Sequence, residues 1–203
     1  MITSLVLAAV GYGAAGWFGA QLGSTMCRGR VPFSDGPAPI RYHRWMLALA
    51  AGLIGVGVAA HGAAPVHMAT IGVVLVFLAA CTVADFTCGI VPDLFTLVPL
   101  GALVISAAAQ RDFGPAISAA IVALPFAGAA TLSRGHGMGW GDVKLAAVGG
   151  ALLGARDATL AFTLACVALF AVSLLLRARG KPVAFAPYLA AGIGAELIIG
   201  SSI

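Results

Sequence analysis

Eight apolar segments joined by short connections constrain this chain to fold within a lipid bilayer. Most segments approach the roughly 20 residues that an apolar helix needs to cross a membrane, and the sixth, at about 143–155, is short for a bilayer. Charged residues make up 9% of the 203 residues, whereas soluble domains contain about 25%. Backbone inside lipid must form its hydrogen bonds within the segment, which favours helices. The sequence therefore predicts an all-α, polytopic membrane protein with a single membrane-embedded domain over residues 1–203.

The predicted spans number about eight, with seven as the alternative. They lie at about residues 2–22, 45–61, 66–84, 94–109, 115–132, 143–155, 158–176 and 183–200.

The basic residues are distributed unevenly between the two sides of this predicted bundle. Nine of the 11 lie in connections on one side, and Arg111 and Arg156 lie on the other. Cytoplasmic connections carry an excess of Lys and Arg, so the richer side is predicted to be cytoplasmic and the N-terminus outside. Residues 27–44 then form a short, basic cytoplasmic loop in the inner (plasma) membrane. The net charge of +4 is spread over such loops, which indicates anionic lipid headgroups, and no nucleic acid, as the partner of these side chains.

Three of the seven acidic residues, Asp85, Asp93 and Asp142, lie at predicted cytoplasmic ends of spans. Burying a carboxylate at a membrane boundary costs several kcal/mol unless it is partnered. Two carboxyl groups held close together share one proton, because both cannot ionise cheaply. The charged one can deprotonate a water, and the neutral one can donate to a carbonyl oxygen. Asp85 and Asp142 are therefore a candidate pair for peptide hydrolysis without a metal.

The sequence leaves other interpretations of these acids open. Asp142 follows Gly139 and Gly141, which are predicted to form a tight turn, and could cap the sixth helix. For Asp93, which follows Pro92, the favoured interpretation is an N-cap of the fourth span. Glu196 is predicted near the outer side, with its role left open.

Transport is the main competing function, because carriers also place carboxylates within membranes. Carriers tend to hold such groups at the midplane in matching repeats, whereas these acids share one face and the chain shows no internal repeat. A non-catalytic scaffold is a third alternative, but it has no use for two costly acids.

The four cysteines, Cys27, Cys81, Cys88 and Cys166, form no C-x-x-C pair. We therefore predict neither a zinc site nor a disulfide framework, and expect them to serve as small apolar side chains.

Three motifs together resemble the type IV prepilin leader peptidases, membrane aspartic proteases of the GxGD class. The first is an aspartate eight residues before Pro-Asp, here Asp85 and Asp93. The second is Gly-Met-Gly-Trp-Gly-Asp-Val-Lys-Leu at 137–145, and the third is Lys-Pro-Val-Ala-Phe-Ala-Pro-Tyr-Leu-Ala at 181–190. The resemblance covers roughly residues 70–200.

The resemblance implies roles for individual residues and a substrate class. It implies that Asp85 and Asp142 are the catalytic aspartates, that Gly139 and Gly141 are the motif glycines, and that Lys144 and Asp93 have supporting roles. Such enzymes remove a short basic leader from prepilin or pseudopilin substrates at the cytoplasmic face, before an apolar helix.

Longer family members carry paired C-x-x-C zinc ligands in their first cytoplasmic loop and also N-methylate the product. The loop at 27–44 holds Cys27 alone, so the chain resembles the short, tight-adherence-type enzymes. We expect no cofactor, neither zinc nor S-adenosylmethionine. The oligomeric state and the particular pilin are not predicted.

Overall fold

The computed structural model describes residues 2–27, 44–133, 138–175 and 184–199. Within these ranges the chain forms eight helices and no strand, which confirms the predicted all-α class. The helices are α1 (Ile2–Met26), α2 (Arg44–Ala60), α3 (Pro65–Cys88), α4 (Asp93–Ala109), α5 (Gly114–Leu132), α6 (Trp140–Leu153), α7 (Ala155–Leu175) and α8 (Ala186–Ile199).

Four of these helices, α1, α3, α5 and α7, are long and apolar enough to cross a membrane. Helices α2, α4 and α8 are also apolar but have 17 residues or fewer, and α6 has 14. The protein is thus a helical membrane protein, and each of its eight helices overlaps one predicted span. Of the basic residues used for the orientation, only Arg44, Arg111, Lys144 and Arg156 lie in the described ranges, and the loop at 28–43 lies outside them.

Small residues let the N-terminal helices approach each other closely. A Cβ on Gly19 would lie 2.2 Å from the Val76 carbonyl oxygen of α3, and one on Gly16 would lie 2.6 Å from the Leu47 carbonyl oxygen of α2. Only glycine permits backbones to come so near, as is common where helices associate in lipid. This contact fixes the C-terminal end of α1 beside that of α3.

Helix α8 joins the two halves of the bundle. It packs against α2 and α3 on one side and against α6 and α7 on the other. Helix α4 likewise contacts both α3 and α6. The C-terminal end of α3 and the N-terminal ends of α4, α6 and α8 consequently meet at one end of the molecule.

Candidate active site

Asp85 lies in the last turn of α3, although the predicted third span ends one residue before it. Gly89 ends the helix in the left-handed conformation, with φ of 64°, and its N–H donates to the Asp85 carbonyl oxygen at 2.9 Å. Glycine adopts this conformation at little cost, which makes it a common helix terminator. The Asp85 side chain is half-buried, and its Oδ2 accepts a hydrogen bond from the Ala186 N–H at 2.9 Å.

Asp142 lies in the first turn of α6, as its third residue. The N-cap is Gly139, so Asp142 is not the N-cap residue of this helix. Its Oδ1 is buried and has no hydrogen-bond partner among the described residues. An acid in a first turn is favoured by the positive end of the helix dipole, which offsets part of the cost of burial.

The two acids interact electrostatically. Asp142 lies outside the four helices that are candidate spans, and burial raises the pKa of its carboxyl to about 7. The charge of Asp85 acts in the same direction, and a hydrogen bond with the Gly139 backbone acts against it. The charge of Asp85 thus favours the protonated form of the Asp142 carboxyl.

Gly139 and Gly141 do not serve as the flexible turn that the sequence predicted. Gly139 has an ordinary extended conformation, with φ of −80° and ψ of 148°, and neither glycine is among those with positive φ. A Cβ on Gly141 would instead lie 2.6 Å from the Val91 Cβ. Gly141 is therefore needed for the close approach of α6 to the segment before α4.

Lys144 and Asp93 form an ion pair, with Nζ 2.6 Å from Oδ1. Asp93 is the first residue of α4, and its N-cap is Pro92, so the favoured prediction that Asp93 is the N-cap is wrong. The pair joins the N-terminal turn of α4 to that of α6. The Asp93 side chain is 65% exposed, so it remains accessible from the solvent side of this site.

Cys27 and Cys88 are paired as a disulfide, with their Cα atoms 6.2 Å apart. The expectation that all four cysteines are unpaired apolar side chains is wrong for these two, while Cys81 and Cys166 are free. The two cysteines are 61 positions apart in the sequence, so their proximity could not be predicted; it arises because α1 and α3 end side by side. Among the described residues no group of three or more His, Cys, Asp or Glu is arranged to hold a metal ion.

Three contacts at this site were not predicted from the sequence: the Ala186 N–H on Asp85, Val91 against Gly141, and Cys88 beside Cys27. The stretch at 181–190 is one of the three motifs that carry the family resemblance, and Pro187 is typical of a helix start. A hydrogen bond from a backbone N–H, however, cannot be predicted from the identity of a side chain. Gly137, the first residue of the stretch at 137–145, lies outside the described residues, as do residues 181–183. Glu196 is buried within α8, away from this end.

A model of the type IV leader peptidase family matches residues 72–174, just over half of the chain. The chain belongs to this family. The matched region includes Asp85, Asp93 and Asp142 and ends within α7, so α8 lies beyond it. No curated protein and no solved structure matches the chain. As a member of a leader peptidase family, the protein is a membrane peptidase.

Proposed function

We propose that this peptidase is an aspartic endopeptidase that uses Asp85 and Asp142 to remove the short basic leader of a prepilin-like or pseudopilin-like substrate. The observation that carries the proposal is the pair of half-buried acids on α3 and α6, whose charges interact at one end of the bundle. Each acid matches a catalytic position of the family resemblance, and each lies in the region that the family model matches.

The proposed reaction needs one ionised and one protonated carboxyl group. The ionised group takes a proton from water as the water oxygen bonds to the scissile carbonyl carbon, and the protonated group gives its proton to the carbonyl oxygen. The tetrahedral intermediate then collapses and the C–N bond breaks. The amide nitrogen leaves with the proton that the first group had accepted, and one hydroxyl proton of the intermediate returns to the second group as the new carbonyl forms. Protein and water together supply every proton, so the proposal includes no metal.

The proposed substrate is basic on one side of the bond and apolar on the other. Asp93 lies exposed at the start of α4 and gives this end an accessible carboxylate, which suits a positively charged leader. The apolar segment after the bond would lie in the bilayer, which places the cut at the membrane boundary. With the predicted orientation, this boundary is the cytoplasmic one.

We do not extend the proposal to N-methylation of the product. A closed structural zinc site takes four ligands, and the loop at 27–44 offers Cys27 alone. Lys144 and Asp93 receive a supporting role, in which their ion pair holds the first turns of α4 and α6 together.

Co-expression with a candidate substrate tests this function. The candidate is a membrane protein with a short Lys- or Arg-containing leader, a glycine and then an apolar segment, and cleavage is followed as a mobility shift. Wild-type enzyme is expected to shorten the candidate, and the matched variant Asp112→Asn, at the other end of the bundle, is expected to do the same. Failure of the wild type on a precursor that another family peptidase cuts in the same membranes would contradict the proposal, and proton uptake by liposomes containing the enzyme would favour a carrier.

A further inference from the structure

The Asp85 side chain is held by a helix that lies 101 residues further along the chain. Its Oδ2 accepts a hydrogen bond from the N–H of Ala186, the first residue of α8. This donor belongs to the backbone, so no side chain in the sequence indicates it.

The start of α8 is well suited to present such a donor. The first N–H groups of a helix have no partner within it, so the Ala186 N–H is free to bond elsewhere. Pro187, the next residue, lacks an N–H and fixes the local backbone. Ala186, Leu189 and Ile193 are fully buried, and this packing sets the position of the helix end against α3.

We infer that the Ala186 N–H is a positioning group for the reaction, which orients Asp85 by engaging its Oδ2 and leaves Oδ1 to face the water and the scissile bond. This inference rests on the proposed function. An oxygen that accepts an N–H hydrogen bond does not carry the acid proton, so Oδ2 is held unprotonated and the orientation of the carboxyl plane is fixed. Helix α8 lies outside the region matched by the family model, yet it thereby becomes part of the catalytic apparatus.

Replacement of the Ala186 amide by an ester tests the inference with little steric change. Lactic acid at position 186, introduced by nonsense suppression during cell-free synthesis into nanodiscs, substitutes an oxygen for the N–H and keeps the methyl group. This N–H makes no hydrogen bond within α8. The ester also weakens the Phe185 carbonyl as an acceptor for the Tyr188 and Leu189 N–H groups, and an ester elsewhere in the helix weakens the preceding carbonyl in the same way. The control is the same ester at Ala191, which lies on an exposed part of α8 and has no contact with Asp85 in the structure.

The ester at position 186 is expected to lower kcat by about 10- to 100-fold, because a hydrogen bond to a charged group contributes on the order of 1.5–3 kcal/mol. KM is expected to change less than about threefold, since the donor touches Asp85 and not the substrate. The ester at 191 is expected to retain kcat within about threefold. A merely structural role would lower kcat in the ester at 191 as well, or would reduce the amount of folded enzyme.

Two results would overturn the inference. One is an unchanged kcat for the ester at 186, measured on a precursor that the wild-type enzyme cleaves normally. The other is an equal loss for the esters at 186 and 191. If wild-type enzyme cleaves no prepilin-like substrate, the proposed function itself fails, and that result is separate because it requires no variant.

Discussion

At the scale of single residues, Asp142 has the most informative surroundings. Its Oδ1 is buried and has no hydrogen-bond partner within the part of the chain that the structure describes, and burial and the charge of Asp85 raise the pKa of its carboxyl to about 7. Asp85 differs, because its Oδ2 is engaged by Ala186. The two acids therefore have unequal environments, and such inequality allows one carboxyl to act as acid while the other acts as base. We assign the proton to Asp142.

The pH dependence of cleavage follows from this assignment. Asp142 carries its proton below its pKa and loses it as the pH rises, so kcat/KM is expected to fall on the basic side with a midpoint near pH 7. The apparent value belongs to the pair of acids rather than to one residue. Initial rates measured from about pH 5 to 9, with folding checked at each pH, give the profile. A rate that rises through pH 7, or stays constant, would show that Asp142 is not the proton donor.

The two motif glycines are expected to respond differently to alanine. Gly141→Ala places a methyl group 2.6 Å from the Val91 Cβ, and such overpacking costs about 1–3 kcal/mol. Gly139→Ala places one 3.6 Å from the Asp142 Oδ2, an ordinary contact, so its effect on unfolding is expected to stay within about 0.5 kcal/mol. Thermal unfolding in detergent measures both.

A compensating change provides the control for this steric explanation. Val91→Gly removes the side chain that the new methyl group of Gly141→Ala would contact. The double variant should therefore recover part of the stability lost in Gly141→Ala. Equal destabilisation by both alanine variants, with no recovery in the double variant, would remove Val91 as the reason for Gly141.

At the scale of helices, the site depends on the meeting of the α3 C-terminus with the first turns of α4, α6 and α8. Asp142 lies in the first turn of α6, and Asp85 accepts a hydrogen bond from the first residue of α8. The partial positive charges of these helix N-termini favour negative groups nearby. The Lys144–Asp93 ion pair links α4 to α6. Because its side chains are 30% and 65% exposed, solvent screens most of its attraction.

The ion pair is therefore expected to contribute little to stability. A double-mutant cycle with Lys144→Met and Asp93→Asn should give a coupling energy of about 0.2–1 kcal/mol, which is typical of exposed pairs. Reversible unfolding of the four proteins in one detergent supplies the values. A coupling energy above about 2 kcal/mol would mean that the pair is shielded from solvent when the protein lies in its membrane environment.

Sequence alone predicts the helices of this protein better than the contacts between them. Apolar runs and connections located all eight helices, because helix length in lipid follows from the distance to be crossed. Alternation of direction along the chain then placed Asp85 and Asp142 at one end. Lateral packing is not encoded in spacing, so the Cys27–Cys88 pair, the contact of Gly141 with Val91 and the bond from Ala186 to Asp85 required the structure.

At the scale of the whole molecule, every helix reverses the direction of the one before it. The ends of α1 and α3 and the starts of α4, α6 and α8 lie together, as the contacts among Cys27, Cys88, Asp85 and Ala186 require. The opposite end is defined by the contact of His61 with the Ile198 carbonyl oxygen, at 3.0 Å. This arrangement places both acids on the same side of the membrane. Which side that is depends on the distribution of Lys and Arg between the connections.

The predicted orientation is tested by labelling from the two sides. Single cysteines near residues 36 and 178, in a cysteine-free background, are expected to react with impermeant maleimide only from the cytoplasm, because nine of the 11 basic residues lie in the connections of that side. A cysteine near residue 112 is expected to react only from outside. The reverse pattern would put Asp85 and Asp142 on the side opposite to the proposed substrate leader.

Cleavage by variants of the two aspartates tests the central claim most directly. Purified wild-type enzyme, Asp85→Asn, Asp142→Asn and the control Asp112→Asn are compared on one precursor, with the product identified by mass spectrometry. Each asparagine in the pair removes either the base or the acid of the proposed reaction, so we predict a loss of at least about 10²-fold in kcat. Membrane insertion and unfolding temperature should be retained, and Asp112→Asn should cleave at the wild-type rate. Substantial processing by Asp85→Asn or by Asp142→Asn would show that the reaction does not depend on this pair.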